Sequence, residues 1–297
     1  MKSKELLHFI RVRQWYKNVI IFLPLIFTFQ FFQLEKFAIT FAGFIILSII
    51  SSGLYVRNDI KDVENDKQHP LKKTRVLPLG RISIKTAWVF FVSLIVIGLV
   101  AGLVLNHIFA ILLILMIINT EIYSRWTKNI IFVDAFAIGG NFIIRAVSGI
   151  VLLSSPFSPW LILGVFFIAL FLAFIKRKAE LESLDDASLH RKSLKNYSQF
   201  SLNTALTISA VMIIVTYSLY AIHGPNNDWR LIITVPIIIF LIFRQIHLSS
   251  INDKIAQTNE ILKDRQSRYA LVFLTLSILL LVYYLPNAWF SGKFNLY

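Results

Sequence analysis

Between residues 58 and 66 the sequence NDIKDVEND sets Asn58, Asp59, Asp62, Glu64 and Asp66 into nine positions at the end of an apolar run. On a continuing helix, Asp59, Asp62 and Asp66 stand at i, i+3 and i+7 and share one face. Three carboxylates on one face repel each other, and partial desolvation at a membrane boundary adds to the cost. A divalent cation with oxygen ligands relieves both. Magnesium carrying a diphosphate suits the set, because it keeps several waters and takes one or two carboxylates plus phosphate oxygens. A solvated acidic helix end is the alternative reading of the same residues.

A second polar set falls inside an apolar stretch. Asp134, Asn141 and Arg145, with Ile138 between them, follow the spacing of one helical face, while Gly139, Gly140 and Gly149 allow close approach of neighbouring helices. Asp134 to Arg145 covers eleven residues, roughly 16 Å of helical rise. A charge at the centre of a membrane helix costs about 2.5–3.5 kcal/mol on insertion scales, so these residues should face the bundle interior or a polar cavity. They fit either a polar stripe leading inward or an Arg145 paired with an acid for structural reasons.

The segment 176–197, KRKAELESLDDASLHRKSLKNY, mixes both signs. Its cations Lys176, Arg177, Lys178, Arg191, Lys192 and Lys195 suit either phosphate contacts or anchoring at a cytoplasmic membrane face. The six His residues have no metal-ligand spacing, and the absence of Cys excludes disulfides, thiolate metal sites and Cys nucleophiles. No GxSxG, P-loop or Rossmann glycine pattern occurs.

The elements that carry these residues follow from composition. A chain of 297 residues that is 57% hydrophobic and 15% charged, with mean hydropathy +0.69, is an integral membrane protein. At roughly 20 apolar residues per span, the sequence predicts an all-α polytopic bundle of nine transmembrane helices. These lie near 18–34, 37–58, 84–105, 107–124, 130–153, 159–175, 201–222, 230–248 and 269–290. Residues 1–297 read as a single transmembrane domain, and the first apolar run reads as a retained span rather than a cleaved signal.

Of the 30 Lys and Arg residues, 26 lie on the N-terminus and on segments 57–85, 125–128, 176–195 and 244–268. Lys36, Arg230 and Lys293 lie on the opposite side, and Arg145 is within a span. The bias places the N-terminus and long loops in the cytoplasm and the C-terminus outside. The net charge of +14 is thus a topology signal first, with anionic lipid or substrate as a second reading. Basic residues spread over five membrane-tethered segments argue against a nucleic-acid partner.

Asn58-Asp59-x-x-Asp62-x-x-x-Asp66, at the end of the second span, resembles the first aspartate motif of the UbiA superfamily of intramembrane prenyltransferases. Further blocks resemble its decaprenyl-phosphate phosphoribosyltransferase branch. They are Arg11-x-Arg13-Gln14-Trp15-x-Lys17-Asn18, the run through His69-Pro70 to Arg75, Lys128 with Asp134, and Ile144-Arg145-Ala146-x-x-Gly149. Later come Lys176-Arg177-x-Ala179-Glu180-Leu181, Arg191-Lys192-x-Leu194-x-x-Tyr197 and Leu262-Lys263-Asp264-Arg265.

The resemblance implies magnesium-dependent transfer of 5-phosphoribose from phosphoribosyl diphosphate to a polyprenyl, decaprenyl-type, phosphate, with release of diphosphate. The setting is the cytoplasmic side of a bacterial-type plasma membrane, and the place is arabinofuranose precursor supply for cell-wall synthesis. It makes Asn58, Asp59, Asp62 and Asp66 the catalytic set, the three aspartates being the magnesium ligands. Substrate contacts would come from Arg13, Lys17, Asn18, Arg75, Lys128, Asp134, Arg145, Lys176, Arg177, Glu180, Arg191 and Tyr197.

Prenyl-transferring relatives carry a second aspartate motif between the sixth and seventh spans. Here Glu182-x-x-x-Asp186 imitates it only loosely. Prenyl transfer to an aromatic or lipid acceptor is the alternative enzymatic reading, and a transporter or flippase with a polar midplane stripe the non-enzymatic one. Monomer and homo-oligomer are both compatible with the sequence.

Overall fold

The structure, a computed structural model, describes residues 3–68, 72–182, 197–224, 229–251 and 264–284. Every regular element among these residues is helical. The α-helices are α1 (Ser3–Phe9), α2 (Leu23–Phe27), α3 (Leu34–Gln68), α4 (Ile84–Leu105), α5 (His107–Arg125) and α6 (Val133–Leu153). After them come α7 (Pro159–Glu182), α8 (Gln199–His223), α9 (Val235–Ile251) and α10 (Arg265–Leu279). Eight helical segments among the described residues are long and apolar enough to cross a membrane, and they match eight of the nine expected spans.

The first expected span, 18–34, takes another form. A 3₁₀ helix, Val12–Phe22, runs into the short α2, and the chain then turns at Phe29, whose φ is 60°. Arg13, Gln14, Trp15, Lys17 and Asn18 make the first half of this segment polar, and Trp15 and Asn18 spend their polar groups on α3. The second expected span does not stop at residue 58. From Leu54 to Gln68 there is no Gly or Pro, while Pro70 stands two residues beyond Gln68, so nothing breaks the helix before its end. α3 therefore has 35 residues and carries the whole Asn58–Asp66 set.

The chain divides into two compact units. The first comprises Met1–Leu25, Gln30–Arg125 and Ile144–Ser155. Here α3 packs along α4, and Ile21, Leu47, Ile50, Phe109, Leu113 and Met116 are wholly buried between the helices. Because lipid tails are as apolar as these side chains, close packing rather than water exclusion holds the helices together. Gly149 shows what this requires: a Cβ there would lie 2.2 Å from the Ile21 carbonyl oxygen. That approach seats the 3₁₀ helix directly on the second half of α6. On the outer face of α4, Val89, Val96, Val100 and Val104 are exposed, as a lipid-facing surface should be.

The second unit comprises Ile26–Phe29, Trp126–Ile143 and Pro156–Tyr297. Leu170, Phe171, Phe174 and Ile175 of α7 pack on Leu202, Leu206 and Ile213 of α8. Gly139 admits the Phe166 ring, 2.6 Å from where a Cβ would be. α8 opens with a reciprocal cap: Ser198 and Ser201 each accept from the other's backbone N–H. Asp264 caps α10 by accepting from Ser267 N at 2.8 Å and is also held by Arg244 from α9, at 2.7 and 3.1 Å. The Arg244 hydrogen bonds, outweighing desolvation, hold the Asp264 carboxyl below the usual carboxylate range.

Candidate active site

The acidic face of α3 lies in the first unit. Asp59 and Asp66 are buried, at 6% and 3% exposure, although both are ionisable side chains near the end of an apolar helix. Their burial is compensated by cations from outside the helix. Arg75 Nη1 donates to Asp59 Oδ1 at 3.3 Å and to Asp66 Oδ2 at 2.6 Å. Since one nitrogen reaches both oxygens, these oxygens are no more than the sum of those distances apart, 5.9 Å. Arg11 donates to the same Asp59 oxygen and lies over the Tyr55 ring, 5.1 Å from its centroid. The Arg11 backbone is left-handed, with φ 52° and ψ 47°. That conformation costs roughly 1–3 kcal/mol in a non-glycine residue.

Asn58 and Asp62 are half-buried on the same helix, and Asp62 has no ion-pair partner among the described residues. Among those residues no three carboxylates or imidazoles close on one point. The donor set nevertheless fits a hard cation of the magnesium type: all its donors are oxygens, and the Arg75 nitrogen marks a position that two carboxylates already share with a positive charge.

Below this cluster a buried network extends between α3, the 3₁₀ helix and α6. Arg145, 8% exposed, donates from Nε to Asn18 Oδ1 at 2.7 Å. Asn18, 1% exposed, also accepts from Ser51 Oγ at 3.4 Å and donates to Ser48 Oγ at 3.1 Å. Trp15 Nε1 donates to Ser52 at 3.0 Å. Asn18 is therefore a support for Arg145, with its amide committed on both sides. Arg13 is exposed and Lys17 half-buried, its ammonium 5.9 Å from the Tyr16 ring. Glu121 is neutralised by Arg57 at 2.9 Å and Arg125 at 2.6 Å.

A separate polar centre lies in the second unit. Asp134 is fully buried, and both carboxylate oxygens are engaged. Arg177 Nε donates to Oδ2 at 2.8 Å and the Tyr197 hydroxyl to Oδ1 at 2.9 Å. Tyr197 in turn accepts from Phe132 N at 2.8 Å. Burial, followed by the neighbouring Asp134 charge, raises the Tyr197 phenol above its ordinary range. Arg177 also reaches Glu180 at 3.4 Å, and the exposed Lys176 lies 3.9 Å from that carboxylate. Lys128 is half-buried. Arg191, with Lys192 and Lys195, lies outside the described residues.

Arg11 and Tyr55, which the structure sets beside Asp59, are not among the site residues expected from the sequence. Arg11 stands inside the RxRQW block, which is the signal that could have found it. The left-handed turn that aims it at Asp59 has no sequence signature.

The sequence matches the UbiA prenyltransferase family over residues 21–260. The decaprenyl-phosphate phosphoribosyltransferase of Mycobacterium tuberculosis is 28% identical over 240 residues, covering 78% of this chain and 80% of the relative. Its counterpart in Mycolicibacterium smegmatis is 31% identical over 217 residues, covering 71% and 68%. A solved UbiA homologue from Archaeoglobus fulgidus bound to DMAPP and Mg2+ shares 15% identity and a TM-score of 0.70, over 94% of this chain and 99% of that one. At that identity the likeness is one of fold.

Proposed function

Because this chain belongs to the UbiA prenyltransferase family and is a multi-pass membrane transferase, we propose that it transfers 5-phosphoribose from phosphoribosyl diphosphate to a polyprenyl phosphate. The ribose C1–diphosphate bond breaks, a C1–phosphate bond forms to the lipid, and diphosphate leaves. The observation that carries this donor and acceptor is the likeness to two mycobacterial decaprenyl-phosphate phosphoribosyltransferases over most of the chain.

The first unit supports it chemically. Asp59 and Asp66 would hold a divalent cation, with Asp62 and Asn58 beside them. Magnesium suits their all-oxygen donors and, when bound, supplies charge neutralisation to the departing diphosphate. Arg11 and Arg75 are placed to pair with diphosphate oxygens, Arg having the fork geometry for bidentate contact. Arg145, held by Asn18, brings a further buried cation to the same unit. The acceptor phosphate is already an anion, so no strong base is required. What the chain must supply is the alignment of two anions that repel each other.

In the second unit, Asp134, itself held by Tyr197, fixes Arg177 as a positioning residue, while Lys128 and Lys176 are the cations we assign to phosphate groups. We place the N-terminus and the reaction on the cytoplasmic side of a bacterial plasma membrane.

The experiment is a donor comparison. Membranes containing the protein, given magnesium and polyprenyl phosphate, should pass label from ribose-labelled phosphoribosyl diphosphate into lipid. Asp59→Asn or Asp66→Asn should reduce this at least a hundredfold with the helical bundle intact, and EDTA should abolish it. Prenyl transfer is the second reading, favoured by the DMAPP in the Archaeoglobus structure. Label entering an acceptor from a prenyl diphosphate, with none from the ribosyl donor, would establish that reading instead.

A further inference from the structure

Asp59 and Asp66 are each buried and each already paired with a guanidinium group. One of these, Arg75, places a single nitrogen between the two carboxylates, as a shared cation would be. The other, Arg11, is held against Asp59 and the Tyr55 ring in spite of a left-handed backbone. Asp59, Asp62 and Asp66 against Arg11 and Arg75 leave one net negative charge. A divalent ion entering alone would displace two cations from its own ligands and leave them without a counter-anion in a partly desolvated site. A diphosphate arriving with the ion reverses that balance, because its oxygens offer both guanidinium groups charge-assisted hydrogen bonds in place of those they give up.

We propose that Arg11 and Arg75 are stand-in cations that make divalent-ion binding conditional on diphosphate. They keep Asp59 and Asp66 from a bare ion and release them to a metal–diphosphate complex, moving their own hydrogen bonds onto the diphosphate. The two arginines thereby determine which form of the metal is taken up. The proposal rests on the assignment of Asp59 and Asp66 to a metal-bound diphosphate. It is independent of the group the diphosphate carries.

Equilibrium dialysis of the purified full chain in detergent tests it, with labelled Mn2+ alone and labelled Mn2+ plus inorganic diphosphate, free species being equal across the membrane. The wild-type protein should retain Mn2+ at least tenfold more tightly with diphosphate than without. Arg75→Gln and Arg11→Gln should each bind bare Mn2+ at least tenfold more tightly than wild type, and the gain from diphosphate should shrink by at least that factor, since the variants also lose a contact to the diphosphate. Bare Mn2+ should also raise the thermal midpoint of the variants more than that of wild type. Wild-type protein binding bare Mn2+ as tightly as Mn2+ with diphosphate would overturn the stand-in role while leaving the metal assignment intact. Folded variants with unchanged affinity for bare Mn2+ would overturn it too. Should the variants not fold, the wild-type comparison decides alone. Wild-type protein retaining neither Mn2+ nor diphosphate under any condition would overturn the metal–diphosphate assignment itself.

Discussion

Arg177 donates its Nε–H to Asp134 at 2.8 Å, with neither side chain measurably open to solvent. A buried pair of this kind is expensive to split, since removal of one partner leaves the other charge desolvated and costs roughly 3–5 kcal/mol. Arg177→Ala and Asp134→Ala should each lower the thermal midpoint in detergent markedly. The double variant Asp134→Leu with Arg177→Met should recover part of the loss, because it removes both charges, although the Tyr197 hydroxyl loses its acceptor. Equal destabilisation in the double variant with Tyr197→Phe added would mean that the pair is not the cause.

Asn18 gives a different expectation, since it supports a cation through hydrogen bonds alone. Asn18→Leu removes the acceptor of Arg145 and the bonds to Ser48 and Ser51, which should cost about 1–3 kcal/mol. Donor KM should rise roughly tenfold with a smaller change in kcat, if Arg145 acts on bound donor rather than on the reacting bond. Steady-state kinetics at varied donor concentration separates the two parameters, and an unchanged KM would detach Arg145 from donor binding.

Tyr197 predicts a pH dependence. Its phenol is raised in the folded protein by burial and by Asp134, whereas in the unfolded chain it titrates near pH 10. The folded state therefore holds this proton more tightly. Its contribution is fully present below about pH 10 and is lost as pH rises beyond that, toward the folded value. The stability difference between wild type and Tyr197→Phe should stay constant up to about pH 9 and narrow above pH 10. Denaturation midpoints across that range measure it, and narrowing already at neutral pH would contradict the burial of the phenol.

The topology is testable by reporter fusion. Basic residues concentrate on one set of segments, with only Lys36, Arg230 and Lys293 opposite, so a reporter after Tyr297 should respond as extracytoplasmic. A cytoplasmic response from an active fusion would mean that one segment does not cross.

What could be read from the sequence was governed by local rules. The face shared by Asp59, Asp62 and Asp66 followed from helical periodicity once no breaker lay between Leu54 and Gln68. The inward placement of Asp134 and Arg145 followed from the cost of a charge facing lipid. Their partners did not follow. An acid was one expectation for Arg145, and one acceptor it has is Asn18, 127 positions away, because a neutral amide supported by two serines can also hold a buried guanidinium. Asp62 points to the same limit: three aspartates share a face by spacing, yet only two meet Arg75, since Arg75 returns along a segment whose path no periodicity encodes. The first span differs in form, not in composition, for a related reason. Hydropathy sums residues 18–34 into a span, but the polar groups of Trp15 and Asn18 bind the segment to α3 as a tight helix instead.

The unbroken length of α3 also sets how far its carboxylates stand from its start. Asp59 lies about 37 Å and Asp66 about 48 Å along the helix axis from Leu34, against roughly 30 Å of hydrocarbon and 40–45 Å of bilayer with its headgroups. With Leu34 at one membrane face, a rod of this length is enough to cross the oily layer and present Asp59 at the headgroup level beyond it. Under the proposed reaction, a polyprenyl phosphate acceptor would need no extraction from its leaflet to meet the carboxylates. Lengthening its isoprenoid tail adds carbon below this level without moving the phosphate. Acceptors of different tail length should therefore differ in how firmly they are retained far more than in how fast they react.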